Sequence, residues 1–172
     1  MRDVREKALV DEEKKALVGA ARTLGFQFQN GVGVTVDVEE SKRFYRVAAA
    51  YLDGPGTVNL AQLYFADGDA IRGANLLKRL IGKVEYAPAL VELGRCFFTG
   101  DGVTFDADKA ASLWQEAIEM CRNGKCDEGN LEACLAEATR SAKEATQLFA
   151  DEARWQKYQD TVQEKKALRK GS

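Results

Sequence analysis

The sequence contains no histidine. That removes the commonest general base at neutral pH, the commonest metal ligand and every triad built on imidazole, and it argues against hydrolase or zinc-enzyme chemistry. Proline is nearly absent too, with two residues in 172, so little interrupts a helix, and the abundance of Ala, Leu, Glu, Lys and Arg favours helix over sheet. No sign of charge dominates: 25 basic and 27 acidic residues give a net charge of -2, mixed along the whole length. Such mixing leaves no basic face to neutralise phosphates and argues against a nucleic-acid partner. No apolar run approaches the roughly 20 residues needed to span a bilayer. The first residues, MRDVREKALVDEEKK, are charged from the start, lack the apolar core expected of a secretory signal, and carry too many acidic residues for an uncleaved mitochondrial presequence. The remaining composition, 45% hydrophobic and 30% charged, suits a soluble globular domain or a short solenoid.

What is present is an internal repeat. The stretch from Leu24 to Ala49 aligns without a gap on the stretch from Leu93 to Ile118, at an offset of 69. Leu24-Gly25 falls on Leu93-Gly94, and Phe28 on Phe97. Gly31, Gly33, Val34, Thr35 and Asp37 fall on Gly100, Gly102, Val103, Thr104 and Asp106, while Phe44-Tyr45 lies over Leu113-Trp114 and Ala48 over Ala117. An offset of this size fits two units of about 34 residues, so a third unit is expected between them. Asn59 to Asp69 supplies it, with Leu60-Ala61 in place of Leu-Gly, Tyr64 in place of Phe, a truncated loop, and GANLLKRLIGK as a short second helix. The three units run at about 18–53, 57–83 and 87–121.

Each unit reads as helix, loop, helix. Paired glycines permit the positive φ with which a chain leaves a helix, and Asp37 and Asp106 sit where a carboxylate caps the next one. Gly25 and Gly94 fall inside helices, where glycine costs about 1 kcal/mol relative to Ala. Close approach of the paired helix is the physical reason to keep them.

This pattern, LG…F..G.GV..D… followed by small and aromatic positions on a second helix, resembles the SEL-one-like repeat family, relatives of the tetratricopeptide repeats. The resemblance covers roughly 18–121 and extends into GNLEACLAEA, Gly129 to Ala138, as the first helix of a further unit. It implies an all-α short solenoid, a right-handed superhelix of helix pairs that binds protein partners and carries no chemistry of its own. The expected organisation is a capping helix over 1–17, three repeats over 18–122, a loop over 123–129, and one long helix with its tail over 130–172. A helix of about 35 residues would run about 52 Å, beyond one solenoid layer. Its second half, with Trp155, Tyr158 and Val162 among charges, has nothing evident to pack against and is expected to dock a partner.

The other constellations read as structure. GVGV and GDGV follow helices rather than a strand, so they are turns and not phosphate cradles. Asp101, Asp106 and Asp108 lack the alternation of a calcium loop. Ser41 and Lys42 are adjacent rather than spaced as Ser-x-x-Lys, so a nucleophile with its base is missing and no catalytic residue is assigned. Four cysteines remain: Cys96, Cys121, Cys126 and Cys134. Cys96 reads as a small buried hydrophobe. In cysteine-rich members of the family, a cysteine ending one unit bonds one on the next unit's first helix, which implies a Cys121–Cys134 disulfide. Reduced packing thiols and a zinc site are the alternatives.

The expected function is therefore a non-enzymatic scaffold, an accessory subunit of a larger complex, with other protein subunits as partners. It needs no cofactor, metal or small-molecule substrate. The family also includes cysteine-rich assembly factors for mitochondrial respiratory complexes, the second reading. Mitochondrial and cytoplasmic locations both stay open.

Overall fold

The computed structural model describes residues 2–124 and 131–170, which form eight helices: α1 (Arg2–Asn30), α2 (Val38–Ala50), α3 (Gly54–Ala66), α4 (Ala70–Ile81), α5 (Ala87–Thr99), α6 (Ala107–Arg122), α7 (Leu131–Ala150) and α8 (Glu152–Lys170). Five of them start at an aspartate. The carboxylates of Asp37, Asp53, Asp69 and Asp106 accept from the backbone N–H three residues on, at the heads of α2, α3, α4 and α6, and Asp151 does the same for α8 through Arg154 N–H at 3.1 Å. Each cap satisfies one of the four N–H groups that a helix start leaves without an intrahelical acceptor.

The helices cluster into two compact units, Met1–Val84 with α1 to α4 and Glu85–Ser172 with α5 to α8. Within the first, α1 pairs with α2 and α3 with α4; within the second, α5 pairs with α6, and α7 packs on α6 and α5. The α1–α2 and α5–α6 hairpins are copies of one another. In the first loop Val32 N–H donates to Gln27 O at 3.1 Å and Asp37 N–H to Phe28 O at 2.9 Å; at the matching positions Asp101 N–H donates to Cys96 O and Asp106 N–H to Phe97 O, both at 3.0 Å. Gly31 and Gly100 take φ of 71° and 72°, the left-handed turn that the sequence pattern calls for.

The interior glycines do what close approach requires. A Cβ on Gly25 would stand 2.6 Å from the Tyr45 ring, and one on Gly94 would stand 2.5 Å from Trp114 Nε1. Both aromatics are fully enclosed, at 0% and 2% exposure. Burying their polar atoms is costly without partners, and each has one. Tyr45 Oη donates to Gln29 Oε1 and accepts from Asn59 Nδ2, both at 3.0 Å; Trp114 Nε1 donates to Val91 O at 3.1 Å. The second repeat reaches the same packing in reverse. Ala61 occupies the glycine position, while a Cβ on Gly73 of α4 would meet the Phe65 ring of α3 at 2.6 Å.

Three expectations change. The segment 2–17 is no separate cap; it runs unbroken into the first repeat helix as α1, because the lone Gly19 is no helix breaker, and residues 10–17 are exposed on every side. The second repeat begins at Gly54, where Asp53 caps it, rather than near 57. The long carboxy-terminal helix is two helices, divided at Asp151 without proline or glycine. Most of the expected loop over 123–129 lies outside the described residues, as does Cys126.

The glycine contacts predict opposite outcomes on one helix. Gly25→Ala should lower unfolding free energy by ~1–3 kcal/mol through overpacking against Tyr45. Gly19→Ala, with nothing within 4 Å of its Cβ, should raise it by up to ~1 kcal/mol through helix propensity. Urea denaturation followed by circular dichroism reads both.

Candidate functional site

Three helices of the first unit converge on an open groove of about 390 Å³. α2 contributes Arg46, Ala49 and Ala50 one turn apart; α3 contributes Leu60 and Tyr64; α4 contributes Arg72, Asn75, Leu76 and Arg79 along one face. The floor is apolar because Ala49 and Leu60 belong to the core around Tyr45, with Tyr64 and Leu76 packed against it. The rim is cationic. Arg46 Nε donates to Tyr64 Oη at 3.2 Å, and its guanidinium carbon lies 6.0 Å from that ring's centroid; the guanidinium carbon of Arg72 lies 5.7 Å from the same centroid. Such contacts hold a guanidinium in place over an aromatic face. Arg79 donates to Ala49 O at 2.8 Å, and Arg72 meets Asp69 at 3.3 Å on the exposed rim. Among the described residues no carboxylate pairs with Arg46 or Arg79, and no acidic side chain lines the groove.

Sequence reasoning missed this site. Its one local signal was the recurrence of Arg72, Asn75, Leu76 and Arg79 at helical spacing, which puts two guanidiniums and an amide on one face of α4.

The residues expected to dock a partner lie elsewhere and are engaged within the second unit. Tyr158 stacks on Phe98 with centroids 4.9 Å apart, and its hydroxyl donates to Phe98 O at 2.6 Å. That carbonyl sits in the last turn of α5, where helix acceptors go unpaired. Trp155 packs against Phe105 at 5.6 Å and stacks with Tyr158 at 6.0 Å, and Val162 is 5% exposed. The break at Asp151 is what returns α8 to these aromatics. Trp155, Tyr158 and Val162 therefore form an internal contact and not a free docking face. Burial, followed by the negative charge of Asp101, pushes the Tyr158 phenol up to about 12.

Ser41 and Lys42 are likewise absorbed by structure. Ser41 Oγ, fully buried, donates to Gly25 O at 2.8 Å. Lys42 bonds Glu39 Oε1 at 2.6 Å and also pairs with Asp67; those bonds, Asp67 first, raise its pKa. The cysteines correct an expectation. Cys121 is disulfide-bonded, whereas Cys134 and Cys96 are free, buried thiols, so Cys121 and Cys134 are not bonded to each other. Burial pushes the Cys96 thiol up to about 12 and raises Cys134 as well, which makes both poor nucleophiles. Among the described residues no group of acidic or cysteine side chains is arranged to hold a metal ion, and no helix is long and apolar enough to cross a membrane.

The fold has counterparts among solved structures. A Sel1 repeat protein from Oxalobacter formigenes superposes with a TM-score of 0.52 at 21% identity, covering 80% of this chain and 99% of that one. The fold is that of Sel1-like repeat proteins. A protective antigen present in uropathogenic Escherichia coli strains, displaying an SLR fold, matches with a TM-score of 0.55 at 16% identity, over 90% of this chain and 38% of the antigen. No protein-family model and no curated protein matches the sequence. The all-α solenoid class expected from the repeat is thus the one found, and the Sel1-like likeness at these identities concerns the fold.

Tyr158→Phe should cost ~1 kcal/mol by leaving Phe98 O without its donor, and proteolysis near Asp151 should quicken. The neutral phenol makes that bond, so its contribution is whole below pH ~10, the ordinary tyrosine value, and is lost as pH rises through about 12. Near-ultraviolet circular dichroism against pH follows that loss. Non-reducing peptide mapping should find no link between Cys121 and Cys134, while Cys96 and Cys134 take up an alkylating reagent only on unfolding.

Proposed function

We propose that this chain is a non-enzymatic protein-binding scaffold, an accessory subunit of a larger assembly. The observation that carries the reading is the open arginine-rimmed groove on α2, α3 and α4, whose apolar floor and exposed guanidiniums are ready to meet another surface. Interfaces are enriched in arginine and aromatic side chains around an apolar centre, and this groove presents that combination. Several facts weigh on the same side. The chain has no histidine, its one serine–lysine neighbour pair is tied into the fold, and its described free thiols have raised pKa values.

The assembly-factor reading drew on a Cys121–Cys134 bond, which is not the one present. The accessory-subunit reading needs no redox chemistry and is favoured for that reason. It is tested by native purification of the chain from its own cells with quantitative mass spectrometry. Companions in fixed stoichiometry through gel filtration are the expected result. Recovery as a free monomer at every concentration would remove the scaffold reading.

A further inference from the structure

The groove on the first unit is selective in charge, and its chemistry identifies what fits. We infer that it takes an acidic segment of a partner protein, in which aspartate or glutamate side chains alternate with apolar ones. The inference rests on the scaffold reading and deepens it.

Arg46, Arg72 and Arg79 place three permanent positive charges around one concavity, whereas the whole chain carries -2. Arg46 is exposed and, among the described residues, gives a single hydrogen bond, to Tyr64 Oη. Arg72 is 69% exposed in its side chain, and its only described carboxylate partner is Asp69, an exposed neighbour three residues away. Pairs of that kind exchange readily for a better acceptor. Each guanidinium has five N–H donors, so most of these donors are free to receive carboxylate oxygens, often two at a time. The side chains are also pre-positioned: the Tyr64 ring lies under both Arg46 and Arg72, which lowers the ordering that binding has to impose.

The floor decides between kinds of anion. A free phosphate would fill a small part of about 390 Å³ and leave the exposed Ala50 and the half-buried Leu76 facing water. A nucleic acid would need a basic stripe along the surface, and the mixed charges of this chain supply no such stripe. A peptide satisfies both parts, its carboxylates on the guanidiniums and its apolar side chains on the floor.

The test uses the full chain and fluorescence anisotropy. The probe is a short labelled peptide in which glutamate alternates with leucine, set beside its glutamine counterpart and inorganic phosphate as competitor. Binding of the glutamate peptide ~tenfold or more tighter than the glutamine peptide is expected, from charge-assisted bonds lost, with affinity falling as salt rises. The double variant Arg46→Gln, Arg72→Gln should lose the same ~tenfold; Arg79 is left in place because it also donates to Ala49 O. Both replaced residues are exposed, and circular dichroism checks the fold. If that variant fails to fold, the comparison of the two peptides on the unaltered chain still decides.

Equal affinity for the two peptides would overturn the inference, as would displacement of the glutamate peptide by phosphate at matched concentration. The same variant separates this inference from the scaffold reading. Stoichiometric companions that stay bound to the double variant leave the scaffold standing and remove the acidic segment from the groove. Their release from it, with the peptide result above, supports both.

Discussion

A helix can approach its partner closely only where a side chain is missing, and here the glycines facing Tyr45 and Trp114 set that approach. With the Cβ positions of Gly25 and Gly94 vacant, each aromatic ring drops against the backbone of the opposite helix. The remaining features follow from that contact. Enclosed so tightly, Tyr45 and Trp114 must have polar partners, supplied by Gln29, Asn59 and the Val91 carbonyl. The short distance between helices then fixes the loop, and both loops close with the same pair of backbone hydrogen bonds in the same register. In the α3–α4 hairpin the partners change sides, with Phe65 over Gly73. The requirement is a missing Cβ beneath a ring, and either helix can provide it. That close packing also brings Tyr64 and Leu76 against the core and so shapes the floor of the groove.

The repeat was legible because every element of it is a local rule. A glycine at positive φ, an aspartate three residues before a free N–H, and an aromatic twenty residues after a helix-interior glycine, a span that fits within one hairpin, can be read without knowing the fold. The division between α7 and α8 was not legible in that way. Residues 131–170 contain neither proline nor glycine, and the apolar spacing continues, though weakly, past Asp151. Asp151 can cap a new helix, but aspartate is too common for that to be decisive. What makes the break worthwhile is the return of Tyr158 to Phe98, a contact across sixty positions of sequence that no window of the chain contains. The disulfide follows the same logic. Its expected pairing came from a family resemblance, whereas Cys134 is turned into the packing of α7 as a free thiol.

The groove was hidden for a different reason. Net charge and mixed composition describe a whole surface on average, and an average near zero is compatible with a local excess of three guanidiniums. Arg46 and the pair Arg72 and Arg79 are distant in sequence and meet only through the α2–α3–α4 packing. The absence of histidine remains the more informative compositional fact, because an absence holds for every part of the molecule.

Cations that serve the fold look different from those around the groove. Lys42 is 5% exposed in its side chain and is bonded to both Glu39 and Asp67; Arg22 reaches Asp53, the cap of α3, at 3.2 Å. In each case a carboxylate balances the charge and joins separate segments. Among the described residues Arg46 has no carboxylate partner, and Arg72 has only its neighbour Asp69. A guanidinium over an exposed ring contributes on the order of 0.5–1 kcal/mol, and two of them beside one ring also repel each other. Stability alone thus gives little reason to gather three arginines above an apolar floor. The gathering becomes favourable once an opposite charge arrives, which is the property expected of a surface used for recognition rather than for folding.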